Sequence, residues 1–438
     1  MQKELHHHHT EGDLCKGHNF DDYIDWRGDL SFSAAPFCEV DNLILSMCCY
    51  LNFSNIISDS YDEVRLFKDA MTEFLCLPQE KQSAGAILPS TLPVLARKTA
   101  FSKRFAGMQV TGFVNEIDEV KKMQFSALTY ILPDGSLFVS FRGTDDTIVG
   151  WKEDFMLAFT SPVPAQSRAV RYLCETAYKF PDVPIRVGGH SKGGNLAIYA
   201  SICANQDVQE RLVCAYNNDG PGFMPEVLED PGYLAVADKL VTYVPQSSIV
   251  GVLLHHAGKM HIIRSTQKNV LQHDPYSWVV TGPKFVYERG RSSFGRMADA
   301  TLDRWIDGLS FAERKAFVEN LFIMIESSGA KTLGDIVADK IKSARAMIAS
   351  FARMDKKDRE IMWRITHRLV RASRESEKIE DQIKKINKKA QKDEKKALPP
   401  SPKKEKKTAQ IKAPKQEKAK LPKPKKEQIK KSKKPAKS

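Results

Sequence analysis

Several things are missing from this 438-residue chain, and each absence narrows what it does. Its eight cysteines, Cys15, Cys38, Cys48, Cys49, Cys76, Cys174, Cys203 and Cys214, form no Cys-x-x-Cys pair. Most sit in apolar settings such as "LSMCCYL" and "AIYASICAN", which reads as reduced, buried thiols in a reducing compartment and not as a disulfide framework. No uncharged apolar run approaches the ~18–20 residues that span a bilayer. The opening "MQKELHHHHT" holds no apolar signal-peptide core. A soluble, cytoplasmic protein without a transmembrane segment is therefore expected, with peripheral membrane attachment left open. There is no Walker-type phosphate loop, dinucleotide fingerprint or zinc-ligand spacing, so neither a cofactor nor a metal is expected. The His6–His9 run has no further ligand spacing around it and is not read as a metal site.

Net charge is also missing from most of the chain. The formal total is +13, but Ser401–Ser438 alone carries 16 Lys, 3 Glu and no Arg, so residues 1–400 sum to zero. The basicity belongs to the tail, and an electrostatic reading of the body as nucleic-acid binding has no support.

What is present divides into four stretches. Residues 1–120 read as the mixed, largely helical opening of the main domain. "FCEVDNLILSMCCYL" (37–51) suggests a buried helix and "VRLFKDAMTEFL" (64–75) an amphipathic one. Residues 121–290 read as its core. From about 124, "FSALTYIL-PDGS-LFVSFRGT" predicts two strands around a turn. Short β-branched strands follow at 183–190, 211–219, 239–246 and 259–266, with helices at 167–179 and 192–204. That alternation predicts an α/β fold built on a mostly parallel sheet. Residues 297–395 read as a helical extension, with a capping box at Ser310 and Glu313, a helix closing near Gly329, and a second long amphipathic stretch from 335 to about 375. Residues 397–438, rich in Lys and Pro and devoid of aromatics, lack the apolar surface to offset chain entropy and are expected to be disordered.

The chemistry centres on "VGGHSKGGNLAIYA", residues 187–200. A strand ends at Ser191, Gly189 and Gly193 flank it, and a helix with Leu196, Ile198, Tyr199 and Ile202 begins at once. This pattern suits a nucleophile elbow; the competing reading makes Ser191 a helix cap. A serine needs a base and an orienting acid. His273, in a loop seven residues after the likely last strand, is the favoured base. His255 and His256 are its rivals, more naturally helix-end or pocket-wall residues, and His190 is expected to point away. Asp219, at the sheet-edge end of its strand, is the favoured acid; Asp274 is adjacent to His273, and neighbouring side chains rarely orient each other well. The competing reading of Asp219 is an Asx turn before Gly-Pro-Gly. Thr144 and Lys192 are the candidate oxyanion-hole residues through their backbone N–H groups. Arg142 is then an ion-pair partner, and Trp151 and Asp154 pack and pin the loop. The Lys192 side chain is expected to be solvated at the helix start, the alternative being attraction of an anionic substrate. The helical region at 311–353 either lids the pocket or simply packs.

"FRGTDD…GWKEDF", "GHSKGGNLAIYA", "NNDGPGF", "YVPQSSIVGVLL" and "QHDPYSW", with "WRGDLSF" and "VDNLILS" earlier, together resemble a bacterial family of lipase-like proteins of unknown function. More distantly they resemble class 3 (fungal-type) lipases. The resemblance spans roughly residues 20–375. It implies an α/β-hydrolase fold, Ser191 as nucleophile, His273 as base, and an ester or lipid substrate. Class 3 lipases carry an aspartate before Ile-Val-Pro, whereas "SSIVG" puts Ser248 there, which shifts the acid role towards Asp219. Two functions follow: a serine hydrolase of carboxylic esters, including lipids, or a weak or inactive hydrolase scaffold that binds partners through its C-terminus. The basic tail suits an anionic membrane surface or, without sequence preference, nucleic acid.

Overall fold

The computed structural model describes residues 17–82 and 91–397. Cys15, the His6–His9 run and the Lys/Pro-rich tail beyond 397 lie outside the described residues.

Eight strands form one sheet in simple sequence order: β1 (Arg65–Leu66), β2 (Gln109–Asp118), β3 (Met123–Ile131), β4 (Leu137–Phe141), β5 (Ile185–His190), β6 (Leu212–Asn218), β7 (Leu240–Pro245) and β8 (Lys259–Ile263). From β4 to β8 neighbouring strands run parallel; β1 to β4 pair antiparallel. Together with the helices described below, this is the mostly parallel α/β-hydrolase arrangement. A two-stranded ribbon, β9 (Val280–Thr281) with β10 (Lys284–Phe285), follows it. Strand character begins earlier than the texture change at 124 suggested. The sequence of β2, "QVTGFVNEID", hides its period because the register slips between Thr111 and Val114, and such a bulge breaks the two-residue alternation that marks a strand.

Strand order explains how the faces are covered. Parallel strands added always on the same side, with right-handed crossovers, place every connecting helix on one face. Pro164–Lys179 and Lys192–Cys203 lie there, over a core that includes Val139, Val187, Leu196 and Leu240. The opposite face must be covered from elsewhere, and the N-terminal segment does this. The helix Glu39–Cys48 is buried along nearly its whole length, within a second core that includes Phe20, Leu43, Phe74, Phe105 and Phe138. Its Asn42 exchanges amide hydrogen bonds of 2.9 and 3.1 Å with Asn218 at the end of β6.

One buried ion pair ties this segment together. Asp41 and Arg104 are 0% and 1% exposed. Arg104 Nε donates to Asp41 Oδ1 at 2.7 Å, and Nη1 donates to the carbonyls of Ala35 and Leu30 at 2.9 and 3.2 Å. The carboxylate also accepts from the Tyr23 hydroxyl at 3.1 Å and the Cys38 N–H at 2.9 Å. A charge pair this dry is favourable only when its remaining hydrogen-bonding capacity is also filled.

C-terminal to the sheet come the helices Ser293–Asp307, Phe311–Glu326, Leu333–Ala338, Lys340–Arg353 and Lys356–Ala397. The Ser310–Glu313 capping box is formed. The stretch from 335 to 375 is not one helix. Asp339 and Asp355 interrupt it by accepting the N–H groups of Lys342 and Asp358 as new N-caps, a competition short acidic side chains win readily. No described helix is long and apolar enough to cross a membrane.

Replacing Arg104 with Met leaves Asp41 charged and unmatched in the core. We expect a loss of about 3–5 kcal/mol in urea unfolding, with part recovered in the Asp41→Leu/Arg104→Met double variant. A loss below about 1 kcal/mol would mean that the Asp41 carboxylate is not left as an uncompensated buried charge.

Candidate active site

Ser191 sits between β5 and the helix Lys192–Cys203 with φ 58° and ψ −134°, a backbone conformation that costs about 1–3 kcal/mol for a residue bearing a Cβ. It is tolerated because the surroundings leave no alternative. A Cβ placed on Gly193 would lie 2.1 Å from the Phe141 carbonyl oxygen of β4, so only glycine lets the helix start this close to the sheet. Ser191 N–H donates to the Asn218 carbonyl at 3.0 Å. The turn lifts Ser191 Oγ over the carboxyl ends of the parallel strands, where open α/β sheets bind ligands.

His273 ends the short 3₁₀ turn Asn269–His273. Its Nε2 lies 3.0 Å from Ser191 Oγ and its Nδ1 2.7 Å from Asp219 Oδ2. Asp219 is fully buried at the end of β6, with φ 56°. Burial pushes its carboxyl pKa above the usual range, against the lowering effect of the His273 contact, the Ser248 hydrogen bond and the Arg291 charge. Ser248 Oγ donates to Asp219 Oδ2 at 2.8 Å. A hydroxyl from the loop after β7 therefore supports the carboxylate at the end of β6. The local side-chain-to-backbone bond here belongs to Asn217, whose Oδ1 accepts the Gly220 N–H at 2.7 Å. Asp274 accepts the Tyr276 N–H at 3.1 Å, capping the next turn. Its pKa is raised by burial. The acid on the His273 ring is Asp219. His255 pairs its backbone with Phe223, and burial pushes the pKa of His256 down to about 4; neither meets Ser191.

Two expectations need correction. His190 does not turn away: its ring packs 4.6 Å from that of His273, and its Nε2 contacts the His273 carbonyl at 3.0 Å. The Tyr50 hydroxyl lies 3.2 Å from its Nδ1. Burial, then the charge of His273, hold its pKa well below the ordinary histidine value, so it is a neutral donor that pins the backbone of His273. Nor is Lys192 solvated or facing a substrate. It is 1% exposed, with Nζ 3.0 Å from Glu153, itself 0% exposed. Nζ also donates to the Gln124 carbonyl and side chain at 2.9 and 2.8 Å, and Glu153 accepts the N–H groups of Ala165 and Gln124 at 2.8 and 3.1 Å. The ammonium bolts the helix start to β3 and to the helices Ile148–Met156 and Pro164–Lys179.

Thr144 follows β4, and Gly143 before it is pressed against the elbow. A Cβ on Gly143 would lie 2.2 Å from the Tyr50 hydroxyl and 3.1 Å from Ser191 Cβ. Thr144 Oγ1 donates to Asp154 Oδ2. Lys192 opens its helix, so its N–H is among those no intrahelical carbonyl accepts. Thr144, Lys192 and Ser191 line one cavity of about 500 Å³, with His273 and Asp274. Trp305, Ile306, Leu309, Phe317 and Val318 roof it from the C-terminal helices. Arg142 is paired with Asp145 at 3.3 Å.

Sequence reading missed the roles of His190, Tyr50, Glu153, Ser248 and Arg291. The last holds the Ser248 loop through the Pro245 and Ser248 carbonyls. The one available signal was "GWKEDF": Glu153 and Asp154, adjacent acids beside an elbow carrying a lysine.

A sheet, elbow and histidine–carboxylate arrangement of this kind defines a lipase-like α/β hydrolase by fold. The Mbeg1-like family model matches residues 99–323, half the chain, and the chain belongs to the Mbeg1-like family. None of the curated proteins matches the chain. Among solved structures it is similar to a fungal lipase at 15% identity, covering 58% of this chain and 86% of that one with a TM-score of 0.33. It is also similar to the Rhizomucor miehei lipase propeptide complex (14%, 50% and 84%, 0.31) and to a mutant form of MDLA from Penicillium cyclopium (12%, 64% and 88%, 0.31).

Asp154 gives a pH test. Burial pushes its pKa from 3.8 up to about 6, so the folded state binds this proton more tightly than the unfolded chain. Its contribution to stability is complete below about pH 4 and is lost as pH rises through about 6. Wild type should lose stability relative to Asp154→Asn across that window in urea unfolding. A flat difference would show that the carboxyl titrates normally.

Proposed function

We propose that this chain is a serine hydrolase of carboxylic esters, with lipid-like acyl esters as its substrates. The observation that carries the reading is the unbroken run from Ser191 Oγ through His273 to Asp219, at 3.0 and 2.7 Å. His273 Nε2 takes the Ser191 proton as Oγ attacks the ester carbonyl carbon. The N–H groups of Thr144 and Lys192 receive the developing oxyanion. Asp219 accepts from Nδ1–H, selects the tautomer with Nε2 free, and stabilises the imidazolium. His273 then passes its proton to the leaving alkoxide as the carbon–oxygen bond breaks. Water, deprotonated by the same ring, releases the acid and restores Ser191. The apolar roof and walls suit an acyl chain and exclude bulk water from the oxyanion. The basic tail adds attraction to an anionic lipid surface without sequence or shape requirements, consistent with a cytoplasmic enzyme acting at the membrane periphery.

A fluorophosphonate probe should label wild type and not Ser191→Ala. Turnover of a short-chain nitrophenyl ester should fall on the order of 10⁶-fold in Ser191→Ala or His273→Ala and on the order of 10⁴-fold in Asp219→Asn. Well-folded wild type that takes no label would sink the hydrolase reading and leave a binding scaffold in its place.

A further inference from the structure

The cavity above Ser191 is mostly apolar, which makes its charged groups informative. Lys192 is matched by Glu153 at 3.0 Å and by Asp154 at 3.8 Å. Asp274 spends a carboxylate oxygen on its own turn. Arg314 is different. It lines the cavity from the helix Phe311–Glu326, and among the described residues no carboxylate lies within ion-pair distance of it. Its Nη1 donates to the Ala158 carbonyl at 2.9 Å and lies 3.9 Å from Met224 Sδ. Its Nε is buried without an acceptor. A guanidinium carries five N–H donors in a planar fork, so one carbonyl leaves most of its capacity unspent. Helix stability does not explain its position either, since a cation in the first turn opposes the helix dipole.

A second donor on the same wall is also unspent. Trp151, on the helix Ile148–Met156, lines the cavity, and its Nε1–H is buried without an acceptor. The two residues come from helices that pack together through Ile148, Phe159, Val318 and Phe322, with Trp151 and Phe317 against that cluster. Buried donors in native proteins are almost always satisfied. Two unsatisfied ones in a cavity of about 500 Å³, within the range of small-molecule sites, point to a ligand that supplies the acceptors.

We propose that Arg314, with the Trp151 N–H, forms an anion-recognition subsite, and that the substrate is a single-chain acyl ester whose head group carries a phosphate or carboxylate. The chain lies against the apolar wall, the ester carbonyl at Ser191 and the anionic head at the guanidinium. This rests on the hydrolase reading, but its central claim is about binding and can be tested without turnover. The probes are 1-O-dodecylglycerol 3-phosphate, 4-(dodecyloxy)butanoate and uncharged 1-O-dodecylglycerol, ethers with no carboxylic ester for Ser191 to cleave. Affinities are measured by calorimetry on the full chain below micelle-forming concentrations.

Wild type should bind one or both anionic ethers about 10–100-fold more tightly than the neutral one, the range of a charge-assisted hydrogen bond. The ratio should collapse towards one in Arg314→Met and be partly kept in Arg314→Lys, with thermal unfolding confirming that both variants fold. The basic tail is the same in every variant, so the fall in the ratio from wild type to Arg314→Met measures the guanidinium alone. The phosphate and carboxylate arms decide which anion the site takes. A ratio near one in wild type, or one that survives Arg314→Met, would overturn the proposal. Turnover of 1-lauroylglycerol 3-phosphate against 1-lauroylglycerol separates the two claims. Discrimination in binding with neither ester consumed would keep the anion subsite and reject the hydrolase; hydrolysis without discrimination would do the reverse.

Discussion

The close crossing of β5 and the helix that follows it governs the rest of this structure. With Gly193 against the Phe141 carbonyl, the chain has no room for a side chain there, and Ser191 two residues earlier takes positive φ. Three strand ends then meet at one place. β4 contributes Gly143 and Thr144, β5 presents Ser191, and β6 anchors Ser191 through the Asn218 carbonyl before delivering Asp219. The unfavourable backbone is held by packing from several sides, which is how such conformations persist at functional sites.

Buried charge does the holding around this crossing. Lys192 and Glu153 are both removed from water, and their mutual attraction would not repay that desolvation without the surrounding hydrogen bonds from Gln124 and Ala165. The pair links the elbow to the helix that carries Trp151 and Asp154, so the cavity wall and the Ser191 turn are joined by a buried ion pair. A second arrangement does the same on the acid side. Arg291 grips the carbonyls of Pro245 and Ser248 and pairs with Asp299 at 2.8 Å, and Ser248 in turn bonds Asp219. The carboxylate is thus placed from β6 while the loop after β7 supplies a hydroxyl.

Some of this is readable in the chain as text. The β-branched runs, the glycines around Ser191 and the turn residues are local signals, because strand period and backbone sterics act over a few residues. Ser191 and its elbow fall in this class. So does the placing of Asp219 at a strand end, though the choice between Asp219 and Asp274 required knowing which carboxylate reaches Nδ1. The bulge in β2 erased its alternation, and two aspartates able to cap cut the long C-terminal stretch into separate helices. The fate of Lys192 was invisible: a lysine after a turn looks the same whether it meets water or a glutamate 39 residues away.

The sequence by itself determined the α/β class, the neutral body with a basic tail, the elbow and a short roster of candidate bases and acids, since each follows from composition or from spacing along the chain. Only the tertiary structure decided that the N-terminal helices cover the second face of the sheet, that His190 clamps His273, that Ser248 supports Asp219, and that Trp151 and Arg314 share a wall with Ser191. Those facts depend on side chains brought together across dozens to hundreds of residues. Burial then sets whether a charge or donor is matched, and no local pattern encodes which distant group will do the matching.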